Sequence, residues 1–495
     1  IDLEGGARRA AFFPPMLRGA PRLAARRLLV SFVSDVEGCF EYLCRFAARS
    51  RVLTSGPRHQ LRLRPDDGEV EHHLVFGGDA VDHGGGDIRV LRALLDLKRQ
   101  APERVHLLMG NRDVNKLRLP SELDRSRAIE EVQIPEFLAA GLRAQPARAK
   151  QVPTYEAFLR SLSGFKAGAH DVLSCVPVAW RSEAAALARA DSPARRLQWI
   201  LKFTMGAPTA FAGRKKELQQ LGLPHDNKHV VASFLEGLMP GGLNLEYLRA
   251  AQVAALLGDT LFVHGAVTLA AIHDSGASGA ADWCRRLNAW ACRSLQDWED
   301  RGCEALIRYA APGCAESVIY ADWLGEARRP EGPCGAVQEF LKRSGVRRVV
   351  SGHQPFGDVP LVIQRPGLTV VTGDTMYSDE GAPDRRGAAV SEILIDARET
   401  AGGVESRCHI SGRLRSGAAH GCVVEDEPFV GRGFAGGLCV TRLAGDDPRS
   451  GVGAYVLLRP AEGLRVQTEV VPAAEMERRA AAADAGGGGP LTVEE

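Results

Sequence analysis

The chain has 495 residues, enough for two or three average domains or for one core carrying large insertions. Its 62 Lys and Arg balance 61 Asp and Glu, so no global polyanion-binding surface is implied and no nucleic acid is expected as a partner. Apolar residues make up 45%, yet no run of them reaches bilayer-spanning length, and no membrane span is expected.

Residues 7–30 carry Arg8, Arg9, Arg18, Arg22, Arg26 and Arg27 with no acid among them. This fits an organelle transit segment, although Arg and Ala are abundant throughout and compositional bias is the favoured reading. Eleven cysteines are scattered without CxxC pairs. With no secretory signal visible, they read as reduced thiols of an intracellular, cytoplasmic protein.

Leu28 to Val33 reads as a buried strand ending at Ser34-Asp35-Val36-Glu37-Gly38. Asp35 and Glu37 are two apart, so their side chains leave one side if strand geometry persists. Two converging carboxylates need a cation or a proton. A helix is expected over Phe40–Ser50, then a polar hairpin or loop over 51–73. Leu74 to Phe76 is a second apolar run, and Gly77-Gly78 ends it before Asp79, Asp82, His83 and Gly84. Asp79 could cap the helix expected from Ile88 to Gln100 or hold a ligand. Recurrence breaks that tie. Val105 to Met109 runs into Gly110-Asn111-Arg112-Asp113, a third strand–tip–helix unit with a polar side chain at its tip, and three such units imply a parallel sheet.

Between Pro120 and Leu257 the pattern becomes helical: Ile134–Leu142, Thr154–Leu162, Glu183–Met205, Arg214–Leu221 and Leu243–Leu257. Arg214-Lys215-Lys216 could bring cations to a phosphate, with a solvated helix face as the favoured alternative. The sheet resumes at Thr260–Val263, ending in His264-Gly265. A second helical stretch over 267–345 holds Cys284, Cys292, Cys303, Cys314 and Cys334 in no metal-binding pattern, so they are assigned no chemistry. Arg347–Val350 ends in Ser351-Gly352-His353-Gln354-Pro355, and Leu368–Val371 ends in Thr372-Gly373-Asp374-Thr375. Ala388–Ile395 and Gly453–Leu458 read as closing strands. The Ala/Gly-rich tail after Ala473 is expected to start helical and become disordered.

The tips collect Asp35, Glu37, Asp79, Asp82, Asn111, His264 and His353. Oxygen donors with imidazoles suit a borderline divalent ion. In this order the tips resemble the motifs of calcineurin-like metallophosphoesterases, and Gly352-His353-Gln354-Pro355 with Gly373-Asp374-Thr375 is most similar to the Ser/Thr phosphoprotein phosphatase and diadenosine tetraphosphatase branch. The resemblance spans five motifs over 28–375. It implies an α/β fold, a β-sandwich flanked by helices, and hydrolysis of a phosphomonoester or nucleotide phosphoanhydride at two divalent ions, with Mn, Fe or Zn expected and Mg possible. Carried over, Asp79 bridges the ions, Asn111, His264 and His353 complete one site, and Asp35 and Glu37 complete the other. The substrate is then a phosphorylated small molecule, a nucleotide or a phosphoprotein.

Three positions depart from that pattern. Glu37 stands where the family has His. Arg112 stands where it has the catalytic His that works with the Asp matching Asp82. His83 stands where the phosphoprotein phosphatases have a phosphate-binding Arg. Arg cannot give up its proton, and general acid catalysis is worth about 10²–10⁴-fold. Arg112 could instead pair with Asp82 or grip phosphoryl oxygens, with His83 and Arg214 as further phosphate contacts. A catalytically impaired descendant that binds through its insertions is the alternative. The resemblance divides the chain into an N-terminal extension (1–27), a core (28–119), a helical cap (120–257), a core strand with the ligand His264 (258–266), a second helical insertion (267–345), the rest of the core (346–472) and a disordered tail (473–495).

Overall fold

The structure, a computed structural model, describes residues 27–485 except 57–59, 67, 125, 144–151, 164–182, 380, 383, 402, 435–436, 445–452 and 462. The Arg-rich extension up to Arg26 and the tail 486–495 lie outside the described residues.

From the N-terminal side the order is β1 (Arg27–Val33), α1 (Phe40–Arg49), a hairpin of β2 (Leu53–Ser55) and β3 (Leu61–Leu63), β4 (Val70–Phe76), α2 (Asp87–Gln100), β5 (Val105–Leu108) and α3 (Asn111–Asn115). After the helical region come β6 (Ala251–Gln252), β7 (Ala254–Leu257) and β8 (Thr260–Val263). Further helices lead to β9 (Arg348–Ser351), β10 (Leu361–Arg365), β11 (Leu368–Thr372), β12 (Val390–Thr400), β13 (Gly403–Arg413) and β14 (Ala419–Val423). The chain closes with β15 (Gly433–Phe434), β16 (Gly437–Arg442), β17 (Ala454–Pro460), β18 (Val466–Pro472) and a helix over Ala473–Ala485.

The fold is α/β. One sheet runs β14-β13-β12-β1-β4-β5-β6 and a second runs β10-β11-β9-β8-β7. Within the first, β1, β4, β5 and β6 are mutually parallel and β12 joins β1 antiparallel. In the second, β8, β9 and β11 are parallel. The period-2 alternation of a strand explains how the two sheets meet. Val30, Phe32, Val75, Leu108 and Ile393 of the first sheet enter one apolar layer with Phe262, Val350 and Val371 of the second. Their neighbours Val33, Leu74, Phe76, Leu107, Leu261, Val349 and Val370 face outward into the larger cluster that the helices cover. Strands apolar on both faces read as continuous apolar runs, which is why they are legible in the sequence. Phe32 and Phe262 stack across the layer with ring centroids 6.0 Å apart.

Several boundaries differ from expectation. The helix expected over Leu243–Leu257 ends at Ala250, and the rest of that apolar run forms β6 and β7, so the sheets begin inside the expected cap. The run Glu183–Met205 breaks at Pro193 into Glu183–Ala190 and Pro193–Trp199, followed by a π-helical turn over Ile200–Thr204. The tail starts helical as expected, over Ala473–Ala485, with Met476 fully buried. The closing segment Gly453–Leu458 belongs to a separate four-stranded sheet, β15-β16-β17-β18.

Candidate metal centre

The tips of β1, β4, β5, β8, β9 and β11 all lie at one edge, the carboxyl ends of parallel strands, where open α/β sheets bind ligands. Backbone bonds hold the loops side by side. Asp35 N–H donates to Gly78 O (3.0 Å), Glu37 N–H to Asp79 O (2.9 Å), and Gly352 N–H to His264 O (2.8 Å). Asp35, Glu37, Asp79 and His353 take φ of 52°, 47°, 55° and 72°, and Asp82 takes 129°. Backbone of this kind costs on the order of 1–3 kcal/mol per residue and collects at functional sites. Close approach leaves no room for side chains between the loops: a Cβ on Gly110 would sit 2.1 Å from Asp79 Oδ1, and one on Gly352 would sit 2.2 Å from Asp35 Oδ2.

His264 and His353 form the imidazole side, their ring centroids 5.2 Å apart. His264 Nδ1 lies 2.7 Å from Gly77 O, and His353 Nε2 lies 2.9 Å from Tyr320 O. Each ring thus commits one nitrogen to a backbone carbonyl, the arrangement that aims the other nitrogen at a metal. With its proton on Nδ1, His264 turns the Nε2 lone pair toward Asn111 Oδ1 (3.1 Å) and Asp79 Oδ1 (3.4 Å). Asp79 Oδ1 also accepts from Arg112 N–H at 2.8 Å, and a cation among these three groups would meet a lone pair from each. Burial and the neighbouring His264 hold His353 well below the usual imidazole range, which keeps its ring neutral and able to ligate. Asp79, His264 and His353 are grouped closely enough to share one ion, so these residues fit the divalent ion that the motifs imply.

On the other side of Asp79 lie Asp35 and Glu37. Burial, reinforced by Asp79, pushes Asp35 well above the usual carboxylate range, although both its oxygens accept from His353 N–H (3.2 and 3.1 Å). Here the Arg112 guanidinium is already in place. Its Nε is 2.6 Å from Glu37 Oε1 and 3.4 Å from Asp79 Oδ2, and its Nη1 donates to Asp82 Oδ2 at 3.2 Å. Lys116 Nζ sits 2.7 Å from the other Asp82 oxygen. Asp82 is therefore spent on two cations.

The remaining candidates separate. His83 is buried, with Nε2 3.7 Å from Glu37 Oε2 and Nδ1 3.3 Å from the Thr209 hydroxyl. Burial, with help from Arg112, pushes it down to about 3, which favours the neutral ring. Arg214 lies behind this edge. It is buried, bonded to Asp87 (3.0 Å) and stacked on Phe234 at 4.2 Å. Asp87 in turn accepts from Asp82 N–H (2.9 Å), so Arg214 supports the Asp82 loop from behind and presents no charge to a phosphate.

Four contributors were not singled out from the sequence. The Asp113 carboxylate accepts from the N–H groups of Asp79, Ala80 and Gly110 at 2.9, 2.8 and 2.9 Å, tying β4's tip to β5's. Burial, with Asp79 nearby, raises it to about 7. Lys116 was hidden among helix positions. Tyr377 meets Arg112 Nη2 at 3.4 Å. Arg386 is fully buried, stacks over Tyr42 at 4.0 Å and donates to the Asp35 carbonyl. The spacing of Asp113 in Gly-Asn-Arg-Asp was the one available signal, and it also reads as a helix-start acid.

A small cavity of about 80 Å³ adjoins Asn111 and Tyr320. A larger one, about 770 Å³, lies on the helical side among Trp290, Tyr309, Arg286, Arg293 and Arg308, and the two share Phe137 and Pro312. No helix among the described residues is long and apolar enough to cross a membrane.

No known family profile and no curated protein matches the chain. Among solved structures it is similar to a cold-active protein-tyrosine phosphatase of the psychrophile Shewanella sp., at 15% identity and TM-score 0.37, covering 77% of this chain and 80% of that one. It is also similar to a protein serine/threonine phosphatase from Saccharomyces cerevisiae, at 12% identity and TM-score 0.33, covering 77% and 79%. A metallophosphoesterase from Sphaerobacter thermophilus follows at 12% identity and TM-score 0.25, covering 75% and 84%.

Proposed function

We propose that the chain is a metal-dependent phosphoesterase that hydrolyses a phosphomonoester or a nucleotide phosphoanhydride. One observation carries the reading: a buried and a half-buried imidazole, each anchored through one nitrogen to a backbone carbonyl, converge with Asp79 and Asn111 in a group compact enough to hold a divalent ion. A divalent ion held there, of Mn, Fe, Zn or Mg type, would supply Lewis-acid polarisation of the phosphoryl group and acidify water.

The chain's own residues do the rest. Arg112 has five N–H donors, of which those toward Glu37, Asp82 and Tyr377 are spent, so the remainder can bind phosphoryl oxygens. Its side chain is 13% exposed, enough for a ligand to reach it from the open edge. Asp82 and Lys116 fix its direction. Arg112 cannot release a proton and His83 is walled in, so neither of these two positions supplies the general acid. Good leaving groups, such as nucleotide phosphates or aryl phosphates, are the matching substrates. The arginine- and aromatic-lined cavities beyond Asn111 offer room for the group that departs.

The test is phosphate release from p-nitrophenyl phosphate by the purified chain in added Mn, beside Asp79→Asn. Turnover that the substitution abolishes is the expected result. A well-folded chain with no turnover and no bound ion would favour instead a descendant that binds partners through its helical segments.

A further inference from the structure

The resemblance of the motifs implies a second ion among Asp35, Glu37 and Asp79, whose oxygens lie close enough together to share one, but a cation of the protein's own already stands against two of these three carboxylates. The oxygens it would need are those that Arg112 faces: Glu37 Oε1 at 2.6 Å and Asp79 Oδ2 at 3.4 Å. A guanidinium stays charged at every usable pH. It is also locked in place, since Asp82 holds its Nη1 and Asp82 is held in turn by Lys116. The guanidinium cannot swing aside without leaving the Asp82 and Glu37 carboxylates, both fully buried, without their partner. The imidazole side differs: among the described residues no ion pair or hydrogen bond joins a cationic side chain to His264, His353 or Asn111, and His264 Nε2 faces the oxygens of Asn111 and Asp79.

We infer that the centre takes one divalent ion, on the imidazole side of Asp79, and that Arg112 supplies the fixed positive charge on the carboxylate side in place of a second ion. The inference rests on the phosphoesterase reading above and sharpens it. Asp35 and Glu37 then act as positioning residues. Glu37 holds Arg112, and Asp35 orients the His353 loop through the two bonds to His353 N–H. A phosphoryl group at the edge would meet the ion on one side and a planar, multiply donating cation on the other, which suits bidentate recognition of phosphate oxygens.

The test is the Mn content of the purified full chain after chelation, reloading and removal of free ion, read by elemental analysis and by the electron paramagnetic resonance of bound Mn. One Mn per chain with the hyperfine pattern of an isolated ion is expected. Arg112→Met, which vacates the carboxylate side, should raise the content toward two and give the broadened spectrum of a coupled pair. Glu37→Gln gives a second reading should Arg112→Met fail to fold: one Mn, bound as tightly as in the native chain. Two coupled Mn in the native chain, a single Mn in folded Arg112→Met, or weaker Mn binding in Glu37→Gln would each overturn the inference and leave the phosphoesterase reading standing. No Mn at all in the native chain would overturn both.

Discussion

The two sides of Asp79 are built from similar materials and end in opposite states. On the carboxylate side several negative groups have strong partners: Glu37 and Asp82 have Arg112, Asp82 also has Lys116, and Asp113 has three backbone N–H groups. Asp35 accepts from the N–H of His353, and Asp374 from that of Met376. On the imidazole side, two imidazoles and a shared carboxylate meet with no cationic side chain bonded among them in the described residues. One side is compensated by the protein itself, whereas the other is complete only when something binds. The difference shows where binding energy from a ligand can go, because a buried network already satisfied has little to gain from another ion.

Breaking the shared residue gives the largest effect. Asp79→Asn should abolish Mn retention and cut phosphate release by more than about 10³-fold, a loss of several kcal/mol of transition-state stabilisation. Initial rates on p-nitrophenyl phosphate with parallel elemental analysis check this. Next comes the compensated side. Lys116→Met leaves a buried Asp82 oxygen facing nothing at 2.7 Å, and breaking a buried pair costs about 3–5 kcal/mol. A clear fall in Tm is expected even without metal. His353→Ala, by contrast, should bind Mn poorly yet keep a near-native Tm in the metal-free state; an equal fall in both variants would erase the contrast.

Adding the ion sharpens the comparison from the other direction. At 100-fold excess over Kd, a ligand that binds only the folded chain stabilises it by about 2.7 kcal/mol. The native chain should therefore gain Tm with Mn, and His353→Ala should not.

A smaller effect lies far from both sides and serves as a control. His420 is buried, bonded to Ser391 (3.0 Å) and Thr441 (3.1 Å), and burial pushes it down to about 4. The unfolded chain binds this proton near pH 6.5 and the folded chain only near 4, so stability falls as pH drops through that window. At pH 5 the loss is about 2 kcal/mol. His420→Gln should flatten the difference in Tm between pH 7 and pH 5; an unchanged slope would assign the acid sensitivity elsewhere.

Much of the metal edge was legible because its strands are buried on both faces. Continuous apolar runs such as Leu74–Phe76 end abruptly in Gly-Asp, Gly-Asn, His-Gly or Gly-His, and that punctuation marks each tip. The run after Ala250 carried no period that separates helix from strand, so β6 and β7 were read as helix. β13 is long, but its first half alternates between exposed and half-buried and only Cys408, Ile410 and Gly412 in its second half are buried, so its polar start leaves a weak signal. Arg112 shows a different limit. Its identity ruled out acid catalysis at once, whereas its choice among Glu37, Asp79 and Asp82 depended on loops contributed by β1, β4 and β5. Arg214 failed in the same way, since nothing local to its helix reveals that Asp87 waits behind it.

Crystals of the full chain grown with Mn and measured at the Mn absorption edge would test the central claim most directly. The account predicts one anomalous peak among Asp79, Asn111, His264 and His353, with the Arg112 guanidinium still against Glu37. A peak among Asp35, Glu37 and Asp79, or an edge with no peak while the protein is saturated with Mn, would contradict it.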